Sequence, residues 1–133
     1  MPVRSLLLVS TAVVLATGCG APAARVDGAR DAGRVFEQAL SAQDFPQACA
    51  LLAPDTRAAL EQDEKQPCAK ALEGQELPVA AAVDDVEVYG RQALVRAGGE
   101  TLFLSQFASG WQVVAAGCTP RGEEPYRCVV KGG

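Results

Sequence analysis

Apolar and polar residues alternate along this chain with two different periods, and the change from one to the other divides it in half. From Val26 to Leu40 the apolar positions Val26, Ala29, Ala32, Val35, Phe36, Ala39 and Leu40 recur at three and four, while Arg30, Asp31, Arg34, Glu37 and Gln38 fill the other face. That spacing predicts an amphipathic helix. Gln43-Asp44 ends it and supplies a cap for a second helix, in which Pro46 suits a first turn and Ala48, Cys49, Leu51 and Leu52 form the buried stripe. Pro54-Asp55 restarts the chain into a helical Thr56 to Gln62, Glu61 to Gln66 reads as a polar loop, and Pro67 opens a short helix carrying Cys68, Ala71 and Leu72.

After Gly74 and Pro78 the period shortens from about 3.6 residues to 2. Val83, Val86, Val88 and Tyr89 fall in a strand that Gly90-Arg91 turns, Gln92 to Ala97 returns, and Gly98-Gly99 turns again. Glu100 to Phe107 follows, with Leu102 and Leu104 on one face and Phe103, Ser105 and Phe107 on the other; Ser109-Gly110 then turns the chain into Trp111 to Ala116. Glycine-containing turns about ten residues apart predict a four-stranded antiparallel meander. Cys118 to Cys128, with Pro120, Gly122 and Pro125 inside, reads as a loop leading to a short final strand, Tyr126 to Val130. Helices first and an antiparallel sheet second define an α+β domain, with the N-terminal helices packed on one face of a curved antiparallel sheet.

The chain opens differently. Met1-Pro2-Val3-Arg4 is a short positive segment, Ser5 to Ala16 is almost uninterruptedly apolar, and Leu15-Ala16-Thr17-Gly18 places small residues before Cys19. The apolar run is too short to cross a bilayer, which takes roughly 20 residues. The pattern resembles the lipobox of bacterial lipoproteins, with Ala16 where that family most often has leucine. The resemblance implies that residues 1–18 are a signal peptide, that Cys19 carries the lipid and becomes the new N-terminus, and that the protein sits on the outer face of the cytoplasmic membrane. An ordinary secretory signal cut near Ala16 or Ala21 would instead leave Cys19 lost or free, and a free cysteine in an oxidising compartment is a liability. Residues 19–25 then form the lipidated cysteine and a flexible leash, and residues 26–133 the domain.

Charge removes further classes. The formal net charge is −4, and it becomes one unit more negative without the leader, whose only charge is Arg4. Nothing gathers Lys or Arg into a basic face, which argues against nucleic acid as a partner. Once Cys19 is assigned to lipid, Cys49, Cys68, Cys118 and Cys128 allow three pairings. Pairing Cys49 with Cys68 and Cys118 with Cys128 closes one loop in the helical half and one in the terminal arm, and suits this organisation. A zinc site would need histidine or a C-x-x-C pair, and the chain has neither; no metal and no cofactor are expected.

The helix-then-sheet order, and Phe107-Ala108-Ser109-Gly110-Trp111-Gln112-Val113-Val114 as a late hairpin, resemble the NTF2-like (cystatin-like) superfamily. More narrowly, Ala48-Cys49-Ala50-Leu51-Leu52-Ala53-Pro54, Pro67-Cys68-Ala69-Lys70-Ala71-Leu72, Val88-Tyr89-Gly90-Arg91 and Ala115-Ala116-Gly117-Cys118-Thr119-Pro120 are similar to segments of small actinobacterial lipoproteins. That resemblance spans nearly the whole mature chain. It implies a cone-shaped fold and an envelope location; it implies no activity, because that group has none assigned.

Catalytic readings are thin. Enzymes of the superfamily use a pocket Asp or His as base, which an apolar cavity must tune. Histidine is absent here, and Asp84, Asp85 and Glu87 at the strand entrance read as solvated charges that discourage edge pairing. Arg91 and Arg96 are placed to meet Asp84 or Glu87 across strands. Ser41, Ser105 and Ser109 have no base partner, and no P-loop or dinucleotide fingerprint occurs. Tyr89, Phe103, Phe107 and Trp111 are candidates for a pocket lining, although aromatics at hairpin spacing are more often core. The expected function is therefore a non-enzymatic, membrane-anchored binding or accessory module for an envelope protein or a small apolar ligand. The alternatives are an isomerase- or cyclase-type enzyme using Asp84 or Asp85, and a structural subunit marked by an exposed apolar patch on the outer sheet face.

Overall fold

The computed structural model describes residues 20–132. Cys19 and the leader, and with them the cleavage and lipidation expectations, lie outside the described residues. Among the described residues, four helices pack against an open antiparallel sheet of six strands.

Helix α1 (Ala23–Ser41) begins three residues earlier than the apolar spacing predicts. Pro22 stands at its N-cap, and the Pro22 carbonyl accepts the N–H groups of Arg25 and Val26. Proline needs no donor partner at that position, so the helix extends back through Ala23–Arg25 and shortens the expected leash. Helix α2 (Phe45–Ala50) starts at Asp44, whose side chain accepts the Gln47 N–H at 3.2 Å. That is the predicted cap. Helix α3 (Pro54–Glu64) runs on through part of the expected polar loop and stops where Lys65 takes φ 53°. Helix α4 (Cys68–Gly74) follows Pro67, and the Cys49–Cys68 disulfide ties it to the end of α2.

Strands β1 (Val83–Tyr89), β2 (Gln92–Ala97), β3 (Glu100–Phe107) and β4 (Gly110–Arg121) form the predicted meander in sequence order. β4 is the spine of the domain. One edge pairs with β3, from Thr101↔Cys118 to Phe107↔Gly110. The other edge takes three partners in turn: the Leu51–Ala53 segment by a bridge from Leu52 to Val113, β6 (Val130–Lys131), and β5 (Glu124–Arg127). The segment from Cys118 to Cys128 is thus a β-hairpin and not a loop, and the final strand expected at Tyr126 to Val130 is divided between β5 and β6. Pro120 and Pro125 mislead because proline opposes a central strand. Beyond Cys118, β4 has left β3, so both prolines lie in a two-stranded arm where a missing donor is tolerated. The Cys118–Cys128 disulfide closes the base of that arm.

Ala93 and Val95 of β2, Leu102 and Leu104 of β3 and Val113 of β4 meet Ala29, Phe36, Leu40, Leu52 and Leu72 from the helices. Gly33 permits the close approach of α1, since a Cβ there would come within 2.8 Å of Val95 Cγ1. The one fully buried aromatic among the described residues is Phe36. The reading of the hairpin aromatics as core is therefore corrected for Phe103 and Phe107, while Trp111 packs against the core from its margin. The phase of the alternation explains it: Phe103 and Phe107 share the outer face of β3, while Leu102 and Leu104 share the inner one.

Candidate functional site

The four aromatic candidates do not converge. Tyr89 is 63% exposed on β1, with its O–H 3.2 Å from Glu87 Oε2. Trp111 is half-buried against α1, close enough that a Cβ at Gly28 would lie 3.1 Å from its indole ring. Phe103 and Phe107 do share a pocket, of about 520 Å³, on the outer sheet face with Pro54 and Val114. Phe103 meets Tyr126 edge to face at 5.0 Å between centroids.

The strand-entrance carboxylates have structural partners. Asp84 Oδ2 accepts the Gly98 N–H at 2.9 Å and so pins the β2–β3 turn. Arg96 lies 2.8 Å from Asp85 and 3.5 Å from Glu87, a cross-strand cluster in solvent. The sequence expectation named Glu87 and Asp84 for such a contact; Asp85 takes the place of Asp84.

The carboxyls that are out of water lie elsewhere. Glu37 on α1 is 3% exposed, and Glu100, the first residue of β3, is 6% exposed. Alternation along β3 puts Glu100 on the inner face with Leu102 and Leu104. Residues 75–82, the link from α4 to β1, run across the pair, and the Ala80 N–H donates to Glu37 Oε2 at 2.8 Å. Glu37 Oε1 and both carboxyl oxygens of Glu100 are sealed from solvent, and the Gly117 N–H is the backbone donor nearest Glu100. Carboxylates only accept, so two ionised ones side by side leave these oxygens unsatisfied and repel each other.

A proton resolves the conflict. Burial, followed by the hydrogen bond and the charge of Glu37, pushes Glu100 up to about 8. Burial raises Glu37 as well, while the Ala80 N–H and the hydrogen bond from Glu100 hold it down. Near neutral pH Glu100 therefore carries the proton and donates it to Glu37, and the pair bears a single negative charge.

Two surface hollows meet this pair from opposite sides of Ala80. The larger, of about 770 Å³, is enclosed by Pro78, Val79 and Ala80 on one side, by the β2–β3 turn on another, and by Gly117 and Arg127–Val129 on the third, with Glu100 in its wall. The smaller, of about 340 Å³, holds Glu37 together with Arg30 and Arg34 of α1. Gly117 is required at the first: its φ is +65°, and a Cβ would lie 2.9 Å from Leu77 Cδ2 and 3.0 Å from Val129 Cβ.

Among the described residues no group of three or more His, Cys, Asp or Glu is placed to hold a metal ion, and no helix is long and apolar enough to cross a membrane. Comparison with known proteins found no matching family model, no similar curated protein and no similar solved structure.

Proposed function

We propose that this chain is an extracytoplasmic binding domain, tethered through acylated Cys19 to the outer face of the membrane, that takes a small ligand into the hollow beside Glu100. The observation that carries the binding reading is the union of that apolar-walled hollow with a buried carboxyl of raised pKa in its wall. Two disulfides support an oxidising compartment. Helix α1 starts at Ala23, so only Gly20, Ala21 and Pro22 separate it from Cys19, and the domain would ride within about 10 Å of the lipid headgroups. Helices followed by a single antiparallel sheet are compatible with an NTF2-like arrangement, although no helix residue lines this hollow.

The same buried carboxyl favours a second reading, an enzyme whose proton carrier is Glu100; Asp84 and Asp85, engaged at the surface, do not fit that role. The readings differ in outcome, because a binding module returns its ligand unchanged. Two variants test the proposal. Cys19→Ala should move the protein from membranes to the soluble extracytoplasmic fraction, and retention after a salt wash would remove the tether. Small molecules extracted from the native protein should be absent from Val129→Trp, which fills the hollow; an unchanged extract would remove the ligand site.

A further inference from the structure

The start of α1 and two turns of the sheet meet at one end of the domain. Arg25, in the first turn of α1, donates from Nη1 to the Gly90 carbonyl at 3.1 Å, and Trp111 packs over Gly28 one turn further on. The Gln106 N–H donates to the Arg91 carbonyl at 2.9 Å and joins the β1–β2 turn to the end of β3. The first turn of α1, Gly90-Arg91 and Ala108–Gly110 therefore form one surface, which Gly20, Ala21 and Pro22 join to Cys19. Among the described residues the large apolar side chains most open to water are Val79, Tyr89, Phe107 and Val129. Tyr89 and Phe107 stand beside these two turns, as the last residues of β1 and β3. Val79 and Val129 line the larger hollow, at the other end. There Glu37 accepts the Ala80 N–H, and the run of helix from Arg25 to Glu37 spans about 18 Å.

We propose that Tyr89 and Phe107 rest in the lipid interface, so that the domain lies on the membrane by its tethered end and the larger hollow opens toward the aqueous side. The inference rests on the acyl tether proposed above and adds an orientation to it. A tyrosine suits the boundary between headgroups and acyl chains, where its ring meets an apolar phase and its hydroxyl a wet one. Two exposed rings alone bind a bilayer weakly. The short leash holds them at the surface at high effective concentration, so modest contacts suffice. Arg91, exposed in the same turn, faces the lipid phosphates, and one basic side chain at an anionic surface strengthens contact about fivefold. The acids of this end are Asp27, exposed on α1, Asp55, across the outer-face pocket from Phe107, and Glu87, which Arg96 and the Tyr89 hydroxyl hold. With charges of both signs present, the rings carry the contact and Arg91 tunes it.

The test is amide hydrogen exchange of the acylated protein in vesicles of phosphatidylcholine with phosphatidylglycerol, compared with the soluble Cys19→Ala protein. Peptides covering residues 88–92 and 106–111 should exchange at least about threefold more slowly on the vesicles. Peptides covering residues 97–100 and 121–124, at the other end, should keep their rates. Tyr89→Ser with Phe107→Ser should remove the protection, and a urea melt checks that the fold survives. Tyr89→Ser alone, at a solvent position that leaves the core intact, should reduce it, and Arg91→Glu should reduce it at low salt and not at high salt. Equal rates on and off the vesicles, protection at residues 97–100 instead, or protection that survives both the single and the double serine variants overturns the orientation and leaves the tether standing. A native protein that carries no acyl group at Cys19, or that a salt wash strips from the vesicles, overturns both.

Discussion

Replacing Glu100 by glutamine should flatten the dependence of stability on pH, and the size of the effect follows from where the carboxyl sits. Unfolded, the group ionises near 4.5; in the folded chain burial beside Glu37 pushes it up to about 8. Between those values the native state holds a proton that the unfolded state has released, so stability falls as pH rises. At about 1.4 kcal/mol per pH unit, the full difference amounts to a loss of about 3 to 4 kcal/mol between pH 5 and pH 8. Water entry and side-chain relaxation would relieve part of it, which leaves about 2 to 3 kcal/mol expected. Glu37 shifts in the same direction and adds to the slope. The window is otherwise quiet, because the chain has no histidine and Cys49, Cys68, Cys118 and Cys128 are oxidised.

Urea unfolding at several pH values across this range measures the effect directly. Wild type should be most stable near the acid end of the window, whereas Glu100→Gln should lose less than half as much on the way to its alkaline end. The variant amide can still donate to Glu37, so the core is not opened and the comparison isolates the proton. A wild-type profile that is flat or rising across the window refutes the reasoning. So does a slope that persists unchanged in both Glu100→Gln and Glu37→Gln.

Other perturbations read other parts of the fold. Gly117→Ala places a methyl against Leu77 and Val129 at a left-handed backbone position and should cost about 2 to 4 kcal/mol in a denaturant melt. Cys118→Ser with Cys128→Ser should lower stability by about 3 kcal/mol in the chain-entropy model, and limited proteolysis should then cut the β4–β5 arm first. Trp111→Ala should cost about 2 kcal/mol by thermal or urea melts, because the ring is half-buried over Gly28 and outside the centre of the core.

The hairpins were legible because glycine turns and two-residue alternation agree: β1, β2 and β3 lie where the spacing puts them. The starts of α2, α3 and α4, marked by Asp44, Pro54 and Pro67, were legible for the same reason, a local rule with one outcome, whereas the start of α1 after Pro22 lay outside the apolar repeat and was not. Long-range pairing was not. Whether residues 118–127 form a loop or a hairpin depends on β4 leaving β3 after Cys118, and nothing local to Pro120 reports that. The aromatics misled because their number is small, and hydrophobicity alone does not distinguish a core face from a half-covered outer one. Phe36, in a helix, holds the position that the strand aromatics were expected to fill.

Glu37 and Glu100 were missed for a physical reason that also bears on what they do. Glu100 shares the alternation phase of Leu102 and Leu104, and Glu37 lies only about 80° around α1 from Ala29, at the margin of the apolar arc. Both positions therefore carried a burial signal, overridden by the habit of placing charges in solvent. Burial of one acid at such a margin is unremarkable, since a small swing returns it to water. Two buried acids held against each other beside Ala80 are costly even when they share a proton, and an amide or aliphatic side chain at either position would relieve the cost. Stability therefore gives no reason to keep the pair. Glu100→Gln is accordingly expected to stabilise the fold near pH 8 relative to wild type, where the native pair has begun to lose its shared proton. Urea unfolding of the two at that pH reads the difference, and a variant less stable than wild type there refutes the argument.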